Sequence, residues 1–132
     1  MPEITVNVAQ TGPTSSQGTI RTHTVPIDRP ESKGGADVGA MGGELLLASL
    51  GGCFMSNLLE AIRSREAKIS DVSIDVVGTL EGQPARYTGI AMNIAANYDD
   101  VAQMQKLVTI SERSCIVANS LIGAIDLSFN VL

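Results

Sequence analysis

The chain has 132 residues, the size of one small domain, and its hydrophobic content of 44% excludes a disordered protein. A net charge of −5 without any basic run argues against nucleic acid or an anionic membrane surface as the main partner. The sequence starts without the pattern of a secretory signal, and no apolar stretch reaches the roughly 18 residues that a membrane span needs. We therefore expect a cytoplasmic protein, whose thiols are kept reduced.

The N-terminal third of the chain is predicted to form strands, turns and a loop. Apolar and polar residues alternate over 4–8, which is typical of a strand, and the Gly-, Pro- and Ser-rich residues 11–18 indicate a turn. Residues 19–27 are β-forming and are expected to pair back as a hairpin strand. Residues 28–43 contain a proline and five glycines, which indicates a loop.

A helix is predicted over residues 44–68, because apolar residues there cover most of a helical wheel. Such a helix should be buried nearly all round. Gly51 and Gly52 indicate either a close approach of another backbone or a substrate, or only a tight helix crossing. One narrow polar stripe interrupts the apolar surface, and it consists of Ser49, Cys53, Ser56, Asn57, Glu60 and Arg63.

The rest of the chain predicts a mixed arrangement of strands and helices. Two strands, over 72–80 and 87–96, are separated by a turn, and Asp99 is a suitable N-cap for the helix that follows. A short helix over 115–121 and an alternating strand over 125–131 complete the pattern. The order of elements predicts a single α+β domain over the whole chain.

The two cysteines, Cys53 and Cys115, are the best candidates for chemistry. They lie 62 positions apart, which excludes a thioredoxin-type Cys-x-x-Cys pair. Cys115 begins a helical segment, whose N-terminus would stabilise a thiolate there. From the residues alone each cysteine is either a redox group or a small buried side chain, and the second is commoner. The single histidine, His23, makes a metal site improbable, and no cofactor motif is present.

Two runs of sequence resemble the OsmC/Ohr family. Residues 43–53, GELLLASLGGC, are similar to its signature helix, and residues 112–121, ERSCIVANSL, are similar to its second-cysteine segment. The loop 34–37 and the strand 86–90 also fit, so the resemblance covers nearly the whole chain in the family's order. It points to the broader OsmC-like branch of the family.

This resemblance implies a fold and an activity. The fold would be α+β, with antiparallel sheets wrapped around long central helices in an intertwined homodimer whose active sites lie at the interface. The activity would be that of a thiol-dependent antioxidant peroxidase, an oxidoreductase that reduces organic hydroperoxides without a cofactor. Cys53 would attack the hydroperoxide and become a sulfenic acid, and Cys115 would resolve it as a Cys53–Cys115 disulfide. A dithiol, for example on a lipoylated protein, would restore both redox-active cysteines.

The resemblance also implies an arginine that activates the thiolate. It would come from an early strand and be held by a glutamate near the start of the central helix. Arg21, in the predicted second strand, is our choice for the arginine, with Arg29 as the alternative. Glu44 is the corresponding acid.

The chain departs from the family pattern at two places. The glutamate of well-studied members lies ten residues before the first cysteine, a place that Gly43 holds here. Glu44 lies nine before, about 180° from Cys53 on an ideal helix. Proline usually follows the second cysteine, where this chain has Ile116.

A rival from another class is a non-catalytic OsmC-like binding or structural protein, a dimer whose reduced cysteines only pack. A third alternative is a different thiol enzyme on the same fold. The sequence identifies neither the physiological hydroperoxide nor its reductant.

Overall fold

The computed structural model describes all 132 residues, which form two compact units over residues 1–46 and 47–132. The boundary between the units falls inside the central helix. The two units are described separately below, and the single domain expected from the sequence stays a prediction. In total the chain forms two three-stranded sheets and three α-helices, which makes it an α+β protein as predicted.

The first unit contains an antiparallel sheet of three short strands: β1 (Asn7–Gln10), β2 (Ser16–Ile20) and β3 (His23–Ile27), in that order. β1 begins later than the alternation predicted, and all four of its residues are exposed. The predicted turn after it is shorter than expected, because backbone N–H groups close it onto the Ser15 carbonyl and β2 starts at the next residue.

Arg21 lies in the turn between β2 and β3, not within a strand as we predicted. Ile20 pairs with His23, so Arg21 and Thr22 form a two-residue hairpin loop. Arg21 has a φ of 56°, the left-handed conformation that such tight loops require. The β-forming residues around it conceal this turn, because no glycine or asparagine marks it.

The loop after β3 is organised by the carboxylate of Asp28, which is only 3% exposed. It accepts hydrogen bonds from the backbone N–H groups of Arg29 at 2.7 Å, Ala36 at 3.1 Å and Val38 at 3.3 Å. Burial alone would raise the pKa of Asp28, but these N–H groups and the Thr14 hydroxyl together lower it below 3.8. The loop that the sequence predicts therefore has a fixed internal anchor.

The central helix, α1 (Gly42–Ser64), begins with a capping interaction. Glu44 Oε1 accepts a hydrogen bond of 2.8 Å from the backbone N–H of Met41, the residue before the helix. A glutamate at the third helical position commonly satisfies this otherwise free donor. The helix ends four residues before its predicted end, and Glu66 just beyond it has a φ of 49°.

α1 buries one side rather than its whole surface, so the prediction of a helix buried nearly all round is wrong for the single chain. In the second unit its buried residues follow a helical stripe, while Leu59 on another face is 50% exposed. By length and composition alone α1 could cross a membrane, whereas we predicted no apolar stretch long enough to do so. Core helices of soluble proteins share these two properties. The buried residues are Leu50, Gly51, Phe54, Leu58 and Ala61.

The second unit contains a mixed sheet. β4 (Ile69–Glu81) and β5 (Arg86–Tyr98) form a long antiparallel hairpin, and β6 (Asp126–Val131) pairs in parallel with β5. Both hairpin strands extend beyond their predicted limits. A parallel neighbour requires a crossover connection between the two strands. Helices α2 (Val101–Arg113) and α3 (Ile116–Leu121) form that connection.

The N-cap of α2 is Asp100 and not the predicted Asp99. The Asp100 carboxylate accepts a hydrogen bond of 3.1 Å from the backbone N–H of Gln103, which satisfies a free donor of the first turn. With two adjacent aspartates, the sequence does not indicate which carboxylate reaches that donor.

The core of the second unit lies between the helices and the sheet. Its most deeply buried large apolar side chains come from α1, α2 and β5, and each of these is at most 1% exposed. The rings of Phe54 and Phe129 lie with their centroids 5.2 Å apart, which joins α1 to β6. The largest buried side chains are Leu50, Phe54, Leu58, Ile90, Met92, Ile94, Met104 and Leu107.

Candidate functional site

The second unit brings the two cysteines together. Cys53 lies on α1, and Cys115 is the N-cap residue of α3. The two thiols interact, because Cys115 lowers the pKa of Cys53, and both cysteines are free. Cys115 is fully buried, whereas Cys53 is only partly buried. Of the two cysteines, only Cys53 therefore has any surface exposed to solvent.

Cys115 is held in place because its sulfur caps α3. Its backbone is extended (φ −78°, ψ 112°), and its Sγ accepts a hydrogen bond of 3.4 Å from the N–H of Ala118. The next N–H, that of Asn119, bonds to the Cys115 carbonyl at 2.9 Å. The first two N–H groups of a helix, here those of Ile116 and Val117, have no acceptor within the helix.

Those two N–H groups act on Cys53. Burial is the largest influence on its pKa and would raise it. The N–H of Val117, the thiol of Cys115 and the N–H of Ile116 outweigh burial and lower the pKa of Cys53 below the ordinary 9.0. The sulfur on α1 is thus the one that ionises more readily.

The pKa of Cys115 is shifted in the opposite direction. Burial, the largest influence, raises the pKa of Cys115, and the hydrogen bond to Cys53 and the charge there raise it further. The N–H groups of Ala118 and Val117 lower it by less, so the net pKa lies above 9.0. The N–H groups at the helix start lower the pKa of Cys115, as we predicted, but burial and the neighbouring Cys53 outweigh them. Cys115 is buried, and this burial makes it the harder of the two thiols to ionise.

The rest of the polar stripe on α1 does not surround the Cys53 sulfur with partners. The amide of Asn57 donates to the carbonyl of Ser111 at 3.4 Å, which ties α1 to α2. Glu60 and Arg63 form an exposed ion pair with each other. These contacts are structural, and they show that a polar helix face need not mark a reactive site.

The paired glycines differ in their roles. A Cβ at Gly51 would lie 2.8 Å from Cγ2 of Val76 on β4, whereas a Cβ at Gly52 would meet nothing within 4 Å. The close neighbour of Gly51 is thus a strand side chain, and not the second backbone or the helix crossing that the sequence suggested.

The predicted activating residues all lie in the first unit, and Glu44 lies there in the first turn of α1. Arg21 is exposed and forms no hydrogen bond or ion pair, while Arg29 is exposed and contributes its backbone to the Asp28 anchor. The Glu44 carboxylate bonds to the N–H of Met41. The arginine–glutamate pair that the resemblance implies is therefore not formed. No group of three or more histidine, cysteine, aspartate or glutamate side chains is placed to hold a metal ion.

A cavity of about 450 Å³ adjoins α3. Its lining includes Ala118, Ile122 and Phe129, but neither cysteine. Cys53 is partly exposed and lies outside the lining of this cavity.

Comparison with known proteins shows the family. Residues 34–130 match the family model described as OsmC-like protein, so the chain belongs to the OsmC-like family. Among curated protein sequences, none matches this chain significantly.

Solved structures share the fold across the whole chain. The OsmC-like protein from Mycoplasma pneumoniae has a TM-score of 0.86 at 14% identity, covering 99% of this chain and 96% of its own. The organic hydroperoxide resistance protein OsmC from Legionella pneumophila has a TM-score of 0.77 at 18% identity, covering 99% and 98%. The organic hydroperoxide resistance protein OhrB of Bacillus subtilis has a TM-score of 0.72 at 18% identity, covering 98% of each chain. The predicted family and fold class are confirmed.

Proposed function

We propose that the chain is a thiol-dependent peroxidase that reduces organic hydroperoxides through a Cys53 sulfenic acid and a Cys53–Cys115 disulfide. The observation that carries this proposal is the interaction between two free cysteines whose pKa values are shifted in opposite directions. Cys53 is partly exposed and its pKa is lowered, while Cys115 is buried and its pKa is raised. A nucleophile and a resolving thiol need this division of roles.

In the first step the Cys53 thiolate attacks the terminal oxygen of the hydroperoxide. A sulfur–oxygen bond forms and the oxygen–oxygen bond breaks, so the sulfur is oxidised to a sulfenic acid and the hydroperoxide leaves as an alkoxide. The alkoxide takes up a proton and becomes an alcohol. The donors that hold the thiolate, the N–H groups of Ile116 and Val117, remain beside the reacting sulfur.

In the second step the Cys115 sulfur attacks the Cys53 sulfenic acid. A disulfide forms, and the hydroxyl of the sulfenic acid leaves as water with the Cys115 proton. Because the two thiols already interact, we expect this step to need little movement of the chain. An external dithiol then reduces the disulfide by thiol exchange and becomes a disulfide itself. A lipoylated protein is one dithiol of this kind.

The surroundings of Cys53 favour an organic substrate. Cys53 packs against the hydrophobic core of the second unit, and no charged side chain contributes to its pKa shift. An alkyl group gains free energy on such a surface, whereas hydrogen peroxide has no apolar part to contribute. The structural relatives from Legionella pneumophila and Bacillus subtilis are named for organic hydroperoxide resistance, which supports the same substrate class.

We also propose that the protein is a cytoplasmic homodimer without nucleic acid or membrane partners. Exposed apolar residues on α1, such as Leu59, leave surface that a second copy would cover. Two free cysteines suit a reducing compartment. Light scattering at micromolar concentration tests the dimer, and a mass near the chain's own 13.8 kDa contradicts it.

A second candidate function is a non-catalytic OsmC-like binding or structural protein. The complete burial of Cys115 and its use as a helix cap favour this alternative, because both are structural roles. Turnover distinguishes the two functions. With cumene hydroperoxide and dihydrolipoamide, the wild type should consume peroxide catalytically and Cys53→Ser should lose this activity, since a hydroxyl does not replace a thiolate as nucleophile. Equal slow consumption by both proteins would establish the non-catalytic alternative.

A further inference from the structure

A second cavity, of about 400 Å³, lies entirely within the first unit. The loop after β3 forms one wall, and the turn before β2 and the start of α1 contribute to the others. Neither cysteine belongs to this cavity, so it has no part in the chemistry described above. Its polar side chains are those of Thr14, Ser16, Asp28, Arg29 and Lys33.

Two cationic side chains, those of Arg29 and Lys33, line this cavity without a counter-ion. The chain has 14 acidic residues against 9 basic ones, so acidic partners are plentiful. Even so, its ion pair joins Arg63 to Glu60, and neither the Arg29 nor the Lys33 side chain forms a hydrogen bond or ion pair. Two like charges that face one cavity repel each other, and an anion between them would relieve that repulsion.

The one acidic residue of the lining does not neutralise these cations. Asp28 is 3% exposed, and its carboxylate is occupied by the backbone N–H groups of Arg29, Ala36 and Val38. The lining therefore presents two positive charges, while its single negative charge is sealed under the loop and already hydrogen bonded.

The loop that carries the two cations is fixed before any ligand arrives. At its base the backbone N–H of Asp28 donates to the Ala40 carbonyl at 3.1 Å. A single 3-10 turn, Glu31–Lys33, holds the backbone at the lysine. A Cβ at Gly35 would overlap the Arg29 carbonyl, so the loop is packed tightly against itself. A site built on such a loop loses little conformational entropy when it binds a ligand.

We infer that this cavity binds a phosphate group, either free or on a small molecule, between Arg29 and Lys33. A guanidinium and an ammonium offer several charged donors, and the Thr14 and Ser16 hydroxyls add two more. Gly42, the first residue of α1, adds an N–H that has no acceptor within the helix. A tetrahedral dianion matches two cations and this number of donors better than a carboxylate does.

Titration of the full chain with inorganic phosphate tests the site. When phosphate replaces chloride at constant ionic strength, the NMR amide signals of Arg29, Lys33 and Gly42 should shift together and saturate, while those of α2 stay in place. Glycerol phosphate distinguishes the two sources of the group, because only a phosphorylated small molecule gains affinity from its organic part. Shifts that do not saturate, or acetate that binds as tightly as phosphate, would overturn the inference.

Matched variants test whether the binding is local. Lys33→Gln should weaken phosphate binding roughly tenfold, since one charge-assisted contact is lost, and Lys33→Arg should retain most of the affinity. Lys106→Gln removes the same charge from an exposed position outside the lining and should bind phosphate like the wild type. Equal weakening by the two glutamine variants would mean that phosphate responds only to net charge, which contradicts the inference.

Arg29→Gln gives a second, independent deletion in case Lys33→Gln does not fold. Both side chains are exposed, so we expect thermal midpoints close to that of the wild type. Arg29→Gln should also weaken phosphate binding roughly tenfold, and an unchanged affinity in this variant would contradict the inference. Since no step uses a hydroperoxide or a thiol, these results do not depend on whether the chain is a peroxidase.

Discussion

In two regions of the molecule, main-chain N–H groups stabilise an acidic side chain, but the consequence for the protein differs between them. In the first unit, Asp28 is almost completely buried and accepts three such bonds, which fix the loop after β3. In the second unit, Cys53 is partly exposed and is held by the N–H groups of Ile116 and Val117. The same kind of donor fixes a loop where the anion is sealed from solvent and, in the proposed peroxidase, activates a partly exposed sulfur.

The largest effect is expected from a substitution beside Cys53, in the second unit. Cys115→Ser should still react once with a hydroperoxide, because Cys53 is unchanged. It should then stop as a sulfenic acid or become over-oxidised, since no resolving thiol remains, and multiple turnover should fall at least about a hundredfold. Trapping with dimedone and intact-mass measurement would show the stalled sulfenic acid. Undiminished turnover would mean that the external dithiol resolves Cys53 directly.

Arg21→Ala tests whether main-chain N–H donors alone are sufficient to activate the Cys53 thiolate. The family resemblance implies a guanidinium that stabilises the thiolate and the departing alkoxide, and Arg21 has no other partner. We expect its loss to slow the peroxide step roughly tenfold while leaving stability unchanged. Stopped-flow oxidation compared with Arg29→Ala as the control measures this. An unaffected rate would assign activation to the backbone alone.

The first region is tested through Asp28→Ala. Three backbone N–H groups would lose their acceptor in a buried place, so the thermal midpoint should fall by several degrees. Asp28→Asn should fall less, since its amide oxygen still accepts hydrogen bonds. Neither variant should change the alkylation rate of Cys53. The pKa of Asp28 is lowered, so its stabilisation is present above 3.8 and is lost as pH falls through the folded pKa.

The two cysteines should affect stability with opposite dependence on pH. The lowered pKa of Cys53 means that its contribution is full above 9.0 and is lost as pH falls through its folded pKa. The raised pKa of Cys115 means that its contribution is full below 9.0 and is lost as pH rises toward its folded pKa. Urea unfolding across this range should show stability rising toward pH 9.0, and Cys53→Ala should remove that rise. A rise that persists in the variant would contradict the assignment.

The smallest effect is expected at Glu44. Its carboxylate bonds to the N–H of Met41, so Glu44→Ala should cost about 1 kcal/mol of helix-capping free energy. Glu44→Gln should retain most of that contribution. If Glu44 instead positions Arg21 during the reaction, Glu44→Ala would slow the peroxide step as much as Arg21→Ala does.

Periodicity predicted the regular elements well and their ends less well. The alternation in β6 and the apolar stripe of α2 were sufficient to place those elements, because each buries one face. The turn at Arg21 was missed because its residues have β-forming neighbours and no turn signature. α1 was expected to be buried all round, since composition does not reveal how many faces a single chain can cover.

The candidate site was predictable in its side chains but not in its main chain. Spacing alone did not decide whether Cys53 and Cys115 meet, and the family resemblance made that expectation possible. The donors of Ile116 and Val117 escaped notice because every non-proline residue has an N–H, so only the direction of the helix start shows which ones act. Asp28 likewise looked like any loop aspartate, although aspartate beside a Gly-rich loop often bonds to nearby backbone.

The sulfur cap of α3 has a consequence for protein engineering. Serine is a better N-cap than cysteine and differs from it by one atom, so a screen for thermal stability alone would favour Cys115→Ser wherever the gain in capping exceeds the cost of burying the hydroxyl. The selected variants would fold as well as the parent or better, and would pass every assay of expression and solubility. They would also lack the second sulfur of the pair. At residue 115, therefore, helix stability favours an oxygen atom, whereas the proposed reaction requires a sulfur atom.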